Sequence, residues 1–560
     1  MRSFGILLIV ANLLLTGAAQ AQTILLHNFN GYTLTGPPGA DAKLRRFSAM
    51  LVRDGKVAAI GTASSVSYFR PLIDAEVDLQ GKTLLPGIID AHGHVLGLGQ
   101  NLQLADLRDA TSVEEAVQQV KAFSEQAAVE GWIMGRGWNQ ENWTVREFPT
   151  AEALDEAINE QPVWLTRVDG HAGWANSKAL ELAGIDASTV SPEGGEIIRD
   201  KRGHPTGVLI DNAMALVEKA IPQPTKEQQR SALQLAFEHL LARGITNVHD
   251  AGVDAVNLQL YREMAAAGEM PMRVYAMLSA NEPELLSILS EGPIYTPDDR
   301  FTMRSVKIYA DGALGSRGAA LLEPYHDDKE QLGLLVTPPE RLHDLYQIII
   351  PMGFQINTHA IGDRANRLAL DEFERAFATI GGRNLRHRIE HAQVVHPDDL
   401  KRFKELNIIP SMQPTHATSD KNMAEDRLGK ARMKGAYAWQ TLLDQGSIIA
   451  AGSDFPVELA DPFFGLHAAV TRQDRDNQPA GGWYPHESMT LTQAFRAFTL
   501  DAAYAAYQEQ MLGSLEPGKW ADFIVLDQDP FAQDQSKLWQ QKVLATYVAG
   551  EEVFAADTDE

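Results

Sequence analysis

Short apolar runs alternate with helically spaced stretches through the middle of this chain, and that alternation points to parallel β/α construction. Nine runs stand out: GIIDAHGH (87–94), WLTRVDGH (164–171), ITNVHDAG (245–252), RVYAML (273–278), SVKIYADG (305–312), FQINTHA (354–360), HRIEHA (387–392), NIIPSM (407–412) and SIIAAGSD (447–454). An eightfold barrel needs one fewer. WLTRVDGH lies in a long, Trp-rich, irregular region from about 100 to 240, whereas the runs downstream are regularly spaced. It is therefore assigned to an insertion after the first strand. Between the later runs, Ala365, Ala369, Phe373, Phe377 and Ile380 make one apolar helical face, with Asp363 expected to cap its start.

Both ends of the chain read differently. Residues 22–85 carry strand-like runs with Asp54-Gly55 as a hairpin turn, and 521–530 and 542–555 are again short apolar strands, with a turn at Gly550. Two β-rich ends around a β/α middle predict a small sheet domain built from both termini. The expected division is 22–85 and 511–560 for that domain and 86–510 for the barrel with its insertion. Residues 1–21 hold one Arg, an apolar run from Phe4 to Leu15 and Ala19-Gln20-Ala21, which reads as a signal peptide cut before Gln22. The run is too short to span a bilayer, so no membrane attachment is expected after cleavage, and the protein is expected to be secreted or periplasmic.

Composition narrows the chemistry. With 49 Lys+Arg against 74 Asp+Glu, the formal charge is −25, which disfavours nucleic acid or anionic lipid as partner and favours a small-molecule substrate. The oligomeric state stays open, a homo-oligomer included. There is no cysteine, so any metal site must use His, Asp, Glu or a modified Lys, a donor set that suits zinc, manganese or iron.

His92 and His94 are two apart on a strand and face the same way, so they can grip one ion. Alone, such a pair is weak; paired surface or core histidines are commoner. Four further residues change the weight: Lys307, His359, His391 and Asp454 each fall late in a separate candidate strand. In a β/α barrel those ends converge on one mouth. Each has a plain alternative, namely an ion-paired lysine, hydrogen-bonded core histidines and a helix-capping aspartate, but jointly they outline a site.

The segments LPGIIDAHGH, VKIYADGALGS, THAIGDRA, RIEHAQ, AAGSDFPV and GSLEPGKWADFIVLDQDP resemble, in order, the motifs of the metal-dependent amidohydrolase superfamily. GWIMGRGWNQENW (131–143) and DGHAGWANSKAL (169–180) extend the resemblance to the branch containing N-substituted formamide deformylase. The resemblance implies a (β/α)8 TIM-like barrel with a small β-sandwich from the two termini. It also implies one or two divalent metal ions, zinc foremost: His92 and His94 with Asp454 on one ion, His359 and His391 on the other, and Lys307 bridging as a CO2-derived carbamate. An ammonium cannot ligate a cation, whereas the carbamate is an anion with two oxygens. The implied reaction is hydrolysis of a non-peptide C–N bond in a small amide or N-formyl/N-acyl compound, with metal-activated water as nucleophile and Asp454 carrying the proton.

His171 and Trp138, in the insertion, are candidates for positioning the substrate or equally for packing. Asp311 and the His249-Asp250 pair are read as support. The glycines of DGALGSRG read as a mobile loop rather than a phosphate cradle, since no Lys-Ser/Thr follows. A dipeptidase or N-acyl amino acid deacylase would need a cation for the substrate carboxylate, and Arg317 is the candidate. A non-catalytic binding protein that keeps the fold is the third reading; it would be favoured by a lost ligand, and all six positions are filled.

Overall fold

The computed structural model describes residues 22–126, 131–167, 170–192 and 194–557; the expected signal peptide lies outside the described residues. The chain divides into two compact units, one from 22–94 and 237–557 and the other from 95–236.

The first unit holds the barrel. Its eight parallel strands, β1 to β8, are Ile88–Gly93, Ile245–Val253, Arg273–Ser279, Phe301–Tyr309, Gln355–Ala360, Arg388–His391, Ile409–Met412 and Ala450–Ala451, hydrogen-bonded in that order. They are the eight runs left after WLTRVDGH is set aside. Why they form strands is visible in their burial: β3, β6 and β7 are almost wholly buried, as expected when helices cover the outer face and side chains fill the lumen. The helix Asp363–Thr379 follows β5 and buries Ala365, Ala369, Phe373 and Ala376, while Ile380 ends up exposed at its C-terminus. Its N-cap is Gly362, and the Asp363 carboxylate instead accepts the Leu322 N–H at 2.8 Å, so the expected cap is corrected: Asp363 ties a neighbouring loop to the helix start.

Closure depends on β1 meeting the segment that follows β8. Asp454 N–H donates to His92 O at 2.7 Å and His94 N–H to Phe455 O at 2.8 Å. The buried Asp90 carboxylate clasps the junction, accepting from His92 N–H at 3.1 Å, Ser453 N–H at 3.1 Å and Ser453 Oγ–H at 2.6 Å. Gly452 is what lets the chains come this close, because a Cβ there would lie 2.5 Å from His92 N and 2.6 Å from Asp90 Oδ1.

Both termini join one eight-stranded sheet beside the barrel in the same unit, running Glu551–Ala555, Val543–Val548, Phe523–Leu526, Thr83–Pro86, Thr23–Thr35, Lys43–Arg53 and Lys56–Gly61, with Ala75–Asp78 paired to Thr23–Thr35. Leu26, Phe29, Phe47 and Met50 from one end pack with Leu515, Phe523 and Val525 from the other. The two turns read from sequence are left-handed pairs, Asp54 and Gly55 at φ +53° and +73° and Ala549 and Gly550 at +54° and +74°. Arg273, at the start of β3, is fully buried and forks onto Asp522 at 2.6 and 3.0 Å, fastening barrel to sheet.

The second unit, inserted in the chain between β1 and β2, has its own six-stranded sheet: Gly195–Arg199, Pro205–Asp211, Ala172–Ala175, Val163–Arg167, Ile133–Trp138 and Ala105–Asp106. WLTR (164–167) is therefore part of a strand of this sheet. Trp138, Trp143 and Trp174 cluster in its core in tilted and edge-on contacts, with centroids 6.0–6.3 Å apart. Among the described residues no helix is long and apolar enough to cross a membrane.

A Gly452→Ala substitution should overpack the β1–β8 junction and destabilise the protein by roughly 2 kcal/mol, read as a lowered urea midpoint, with the same change at Gly315, whose φ is not positive and where a Cβ would meet only Met423 Cε at 3.5 Å, serving as a reference for glycine replacement alone.

Candidate metal centre

The parallel strands end on one face, and there the structure gathers the six residues singled out. His92 lies at the end of β1 and His94 directly after it, Lys307 lies in β4, His359 in β5, His391 ends β6, and Asp454 follows β8. His92, His391 and Asp454 are buried with one potential donor atom each, all within 4.8 Å of one another. Lys307 Nζ lies 3.1 Å from His92 Nε2, and Asp454 Oδ1 lies 3.5 Å from His92 Nε2 and 3.1 Å from His94 Nε2. The His359 ring is centred 4.5 Å from that of His391, and its buried Nε2 has no hydrogen-bond partner among the described residues. His391 and Asp454 both hold left-handed backbone, at φ +72° and +64°. For non-glycine residues such conformations cost free energy and are kept where surroundings enforce them.

The histidines are oriented from behind. His92 Nδ1 bonds Glu390, His94 Nδ1 bonds Ala251 O at 2.8 Å, and His391 Nδ1 bonds Gln413 Oε1 at 2.7 Å. All three partners are acceptors, so Nδ1 carries the proton and each Nε2 lone pair is left for a ligand, the arrangement found behind metal-binding histidines. This donor chemistry fits a divalent cation without adjustment of tautomer.

Electrostatics agree. Burial lowers the His92 pKa to about 4, reinforced by Lys307, and lowers that of His359 to about 3. His391 is pushed well down by burial and by His359. Burial also lowers Lys307 to about 8. Asp454 behaves oppositely: burial works to raise it, but His94, His92 and His391 hold it well below the usual carboxylate range. Neutral imidazoles, a readily deprotonated amine and an ionised carboxylate are the forms a cation binds.

Glu390, Arg388 and His416 escaped sequence reading, whereas His249 and Asp311 were read as support. Glu390, two before the end of the RIEHA run, is fully buried; burial favours its neutral form, yet Arg388, His92 and Lys307 keep it strongly acidic. Arg388 in turn reaches Glu390 Oε1 at 2.8 Å, Ser411 Oγ at 2.9 Å and His249 Nδ1 at 3.0 Å, so His249 sits in a supporting position. Asp311 accepts three backbone N–H groups, from Ala320, Ile361 and Gly362, at 2.8–2.9 Å, and stands 3.6 Å from His359 Nε2. His416, just beyond β7, lies 3.5 Å from Asp454 Oδ2. The signal for Glu390 and Arg388 is present in the sequence, since period-two alternation puts both on one face of β6.

The three remaining candidates, Trp138, His171 and Arg317, have the following surroundings. Trp138 is fully buried in the core of the inserted unit and donates Nε1–H to Leu165 O at 2.8 Å, so it is a packing residue with no face to offer a substrate. His171 is 74% exposed and paired with Asp211 at 2.8 Å, which places it on the surface of that unit. Arg317 is bound to Asp327 at 2.9 Å, a carboxylate it shares with Arg427.

Comparison with known proteins closes the assignment. A profile of the amidohydrolase family matches residues 75–554. The chain belongs to the amidohydrolase family. Among relatives, this amidohydrolase is 36% identical to the protein LONG AFTER FAR-RED 3 of Arabidopsis thaliana, over 92% of its length and 90% of the relative's. It is 29% identical to the N-substituted formamide deformylase of Arthrobacter pascens, over 95% and 98%. The crystal structure of an uncharacterized metal-dependent hydrolase from Pyrococcus furiosus superposes with a TM-score of 0.75 at 31% identity, covering 91% of this chain and 99% of that one. The motifs read in the sequence, the eight-stranded barrel and the family assignment coincide.

Two predictions follow from these geometries. Glu390→Gln leaves the buried Arg388 charge unanswered and should destabilise the fold by about 3–5 kcal/mol in urea titration, with one amide oxygen left to serve both Arg388 and His92. In metal-free protein, His92, His359 and the distant buried His387 have folded pKa values of about 4, 3 and 3. An unfolded histidine titrates near 6.5, so on acidification the unfolded chain takes up protons first. Stability should hold above pH ~6.5 and fall toward pH ~4 by about 1.4 kcal/mol per pH unit for each such histidine, measured as urea midpoints at fixed ionic strength.

Proposed function

We propose that this metal-dependent amidohydrolase is an exported enzyme that hydrolyses a non-peptide C–N bond in a small amide or N-formyl compound. The observation that carries the reading is the trio of histidines whose Nδ1 atoms are all bonded to acceptors, leaving their Nε2 atoms free of that duty around the buried Asp454. The relative named as an N-substituted formamide deformylase, similar over nearly the full length of both chains, supports the substrate class.

His92, His94 and Asp454 would hold one ion and His359 and His391, whose rings are centred 4.5 Å apart, a second, with Lys307 between them. When bound, a divalent ion there supplies a water that ionises near neutral pH and an electrophile for the substrate carbonyl. The rest falls to the chain. Asp454, ionised beside the histidines, accepts the proton of the attacking water and returns it to the leaving nitrogen. Lys307, brought by burial to a pKa of about 8, has enough neutral amine to add CO2, and the resulting carbamate oxygen would stand beside His92. Burial of His92, His391 and Lys307 excludes bulk water from competing for those atoms.

Elemental analysis of purified protein should find one to two divalent ions per chain, zinc foremost. His359→Ala should lose metal and hydrolysis together, and Asp454→Asn should lower kcat by about 10²–10⁴-fold across a panel of N-formyl, N-acetyl and dipeptide substrates. Carbon-13 bicarbonate should give a carbamate resonance that Lys307→Ala lacks. Hydrolysis by a metal-free wild type would overturn the proposal.

A further inference from the structure

β7 ends at Met412 and supplies none of the six residues around the metal centre, yet the short helix after it, Pro414–Asp420, delivers a seventh ionisable group. His416 stacks on His391 with centroids 5.9 Å apart and planes at 22°, and its Nε2 faces Asp454 Oδ2 at 3.5 Å. Asp454 is thus bracketed: Oδ1 meets His92 and His94, and Oδ2 meets His416. The His416 Nε2 atom has no hydrogen-bond partner among the described residues. A buried imidazole nitrogen left in that state carries a cost, which a ligand would relieve.

The space beside it has a size and a chemistry. A cavity of about 10 Å³ is lined by His391, Gln393, Gln413, His416, Tyr437 and Trp439, with Met412 at its wall. That is room for about one oxygen-sized atom. Most of the polar lining is engaged elsewhere: Gln393 and Tyr437 both donate to Asp420, at 2.9 and 2.7 Å, and Gln413 accepts from His391. Two groups remain, the His416 Nε2 and the Trp439 indole N–H, which is also buried and without a partner among the described residues. Both can donate, neither carries negative charge, and what they suit is an oxygen acceptor.

We infer that His416 is a substrate-contacting residue of this enzyme, donating its Nε2–H to the acyl oxygen of the substrate, and of the product carboxylate, with Trp439 Nε1–H as a second donor to the same atom. The inference rests on the metal-centre reading above and deepens it. It assigns the acyl side of the substrate to the β7 end of the mouth, and it leaves His416 outside the metal's own ligands. A donor aimed at this oxygen gains strength as negative charge develops there in the transition state.

The test uses the full chain loaded with Co²⁺, titrated with formate and separately with acetate, and followed by the cobalt visible spectrum. Wild type should bind at least one of the two carboxylates. His416→Ala should bind it at least tenfold more weakly while retaining the same cobalt content, and His416→Gln, which keeps an N–H donor, should recover part of the loss. Trp439→Phe should weaken binding less than His416→Ala. With any substrate that the wild type hydrolyses, His416→Ala should lower kcat/KM by about 10²-fold. Unchanged carboxylate affinity in His416→Ala, or loss of cobalt in both His416 variants, overturns the inference. A wild type that takes up cobalt but binds neither carboxylate also overturns it and leaves the metal centre standing. Failure of the wild type to take up cobalt is instead the failure of the metal-centre reading.

Discussion

Everything at the mouth of this barrel depends on one junction, where the segment after β8 is pressed against β1. The Asp90 carboxylate holds Ser453 and His92 amides together, and Gly452 omits the side chain that would push them apart. Asp454 and His92 are thereby locked backbone to backbone at 2.7 Å although hundreds of residues separate them. Asp454 takes a left-handed conformation as a result, and its carboxylate is turned to the histidines. A barrel that failed to close here would still have most of its core but no centre.

The second tier is a buried polar chain running from Arg388 through Glu390 to His92. Buried charges are costly unless each is answered, and this chain answers them in sequence, cation to carboxylate to imidazole. Its effect on chemistry is directional. By taking Nδ1 of His92, it leaves Nε2 as the only ring nitrogen that can meet an ion, and Ala251 O and Gln413 do the same for His94 and His391. Stability and chemistry are therefore coupled at this point: the acceptors that satisfy buried N–H groups are those that prepare the site.

Around that prepared site the mouth is asymmetric. β1, β4, β5, β6 and the β8 junction supply the candidate ligands, while the β7 end supplies His416 and its small cavity. A hydrolytic site needs such a division, since atoms that bind a cation and atoms that bind the substrate's oxygen must lie side by side without competing. Asp454 stands between the two groups, with one oxygen toward each.

Much of this was legible in the chain itself. Side-chain alternation on a strand is a local property, so His92 and His94 could be placed on one face, and eight strands could be counted, from sequence alone. The ordered motifs carried the family, and the absence of cysteine fixed the kind of donor. What periodicity cannot supply is a partner. Glu390 meets His92 across 298 residues, and which strand stands beside which, at what register, is set by closure and packing of the whole barrel. The same limit explains Trp138: an indole in an irregular, Trp-rich stretch reads alike whether it lines a pocket or fills a core, and only the packed sheet of the inserted unit decided for the core. His416 is the complement, a single histidine in an unremarked helix whose meaning comes from the two side chains that the fold sets against it, His391 and Asp454.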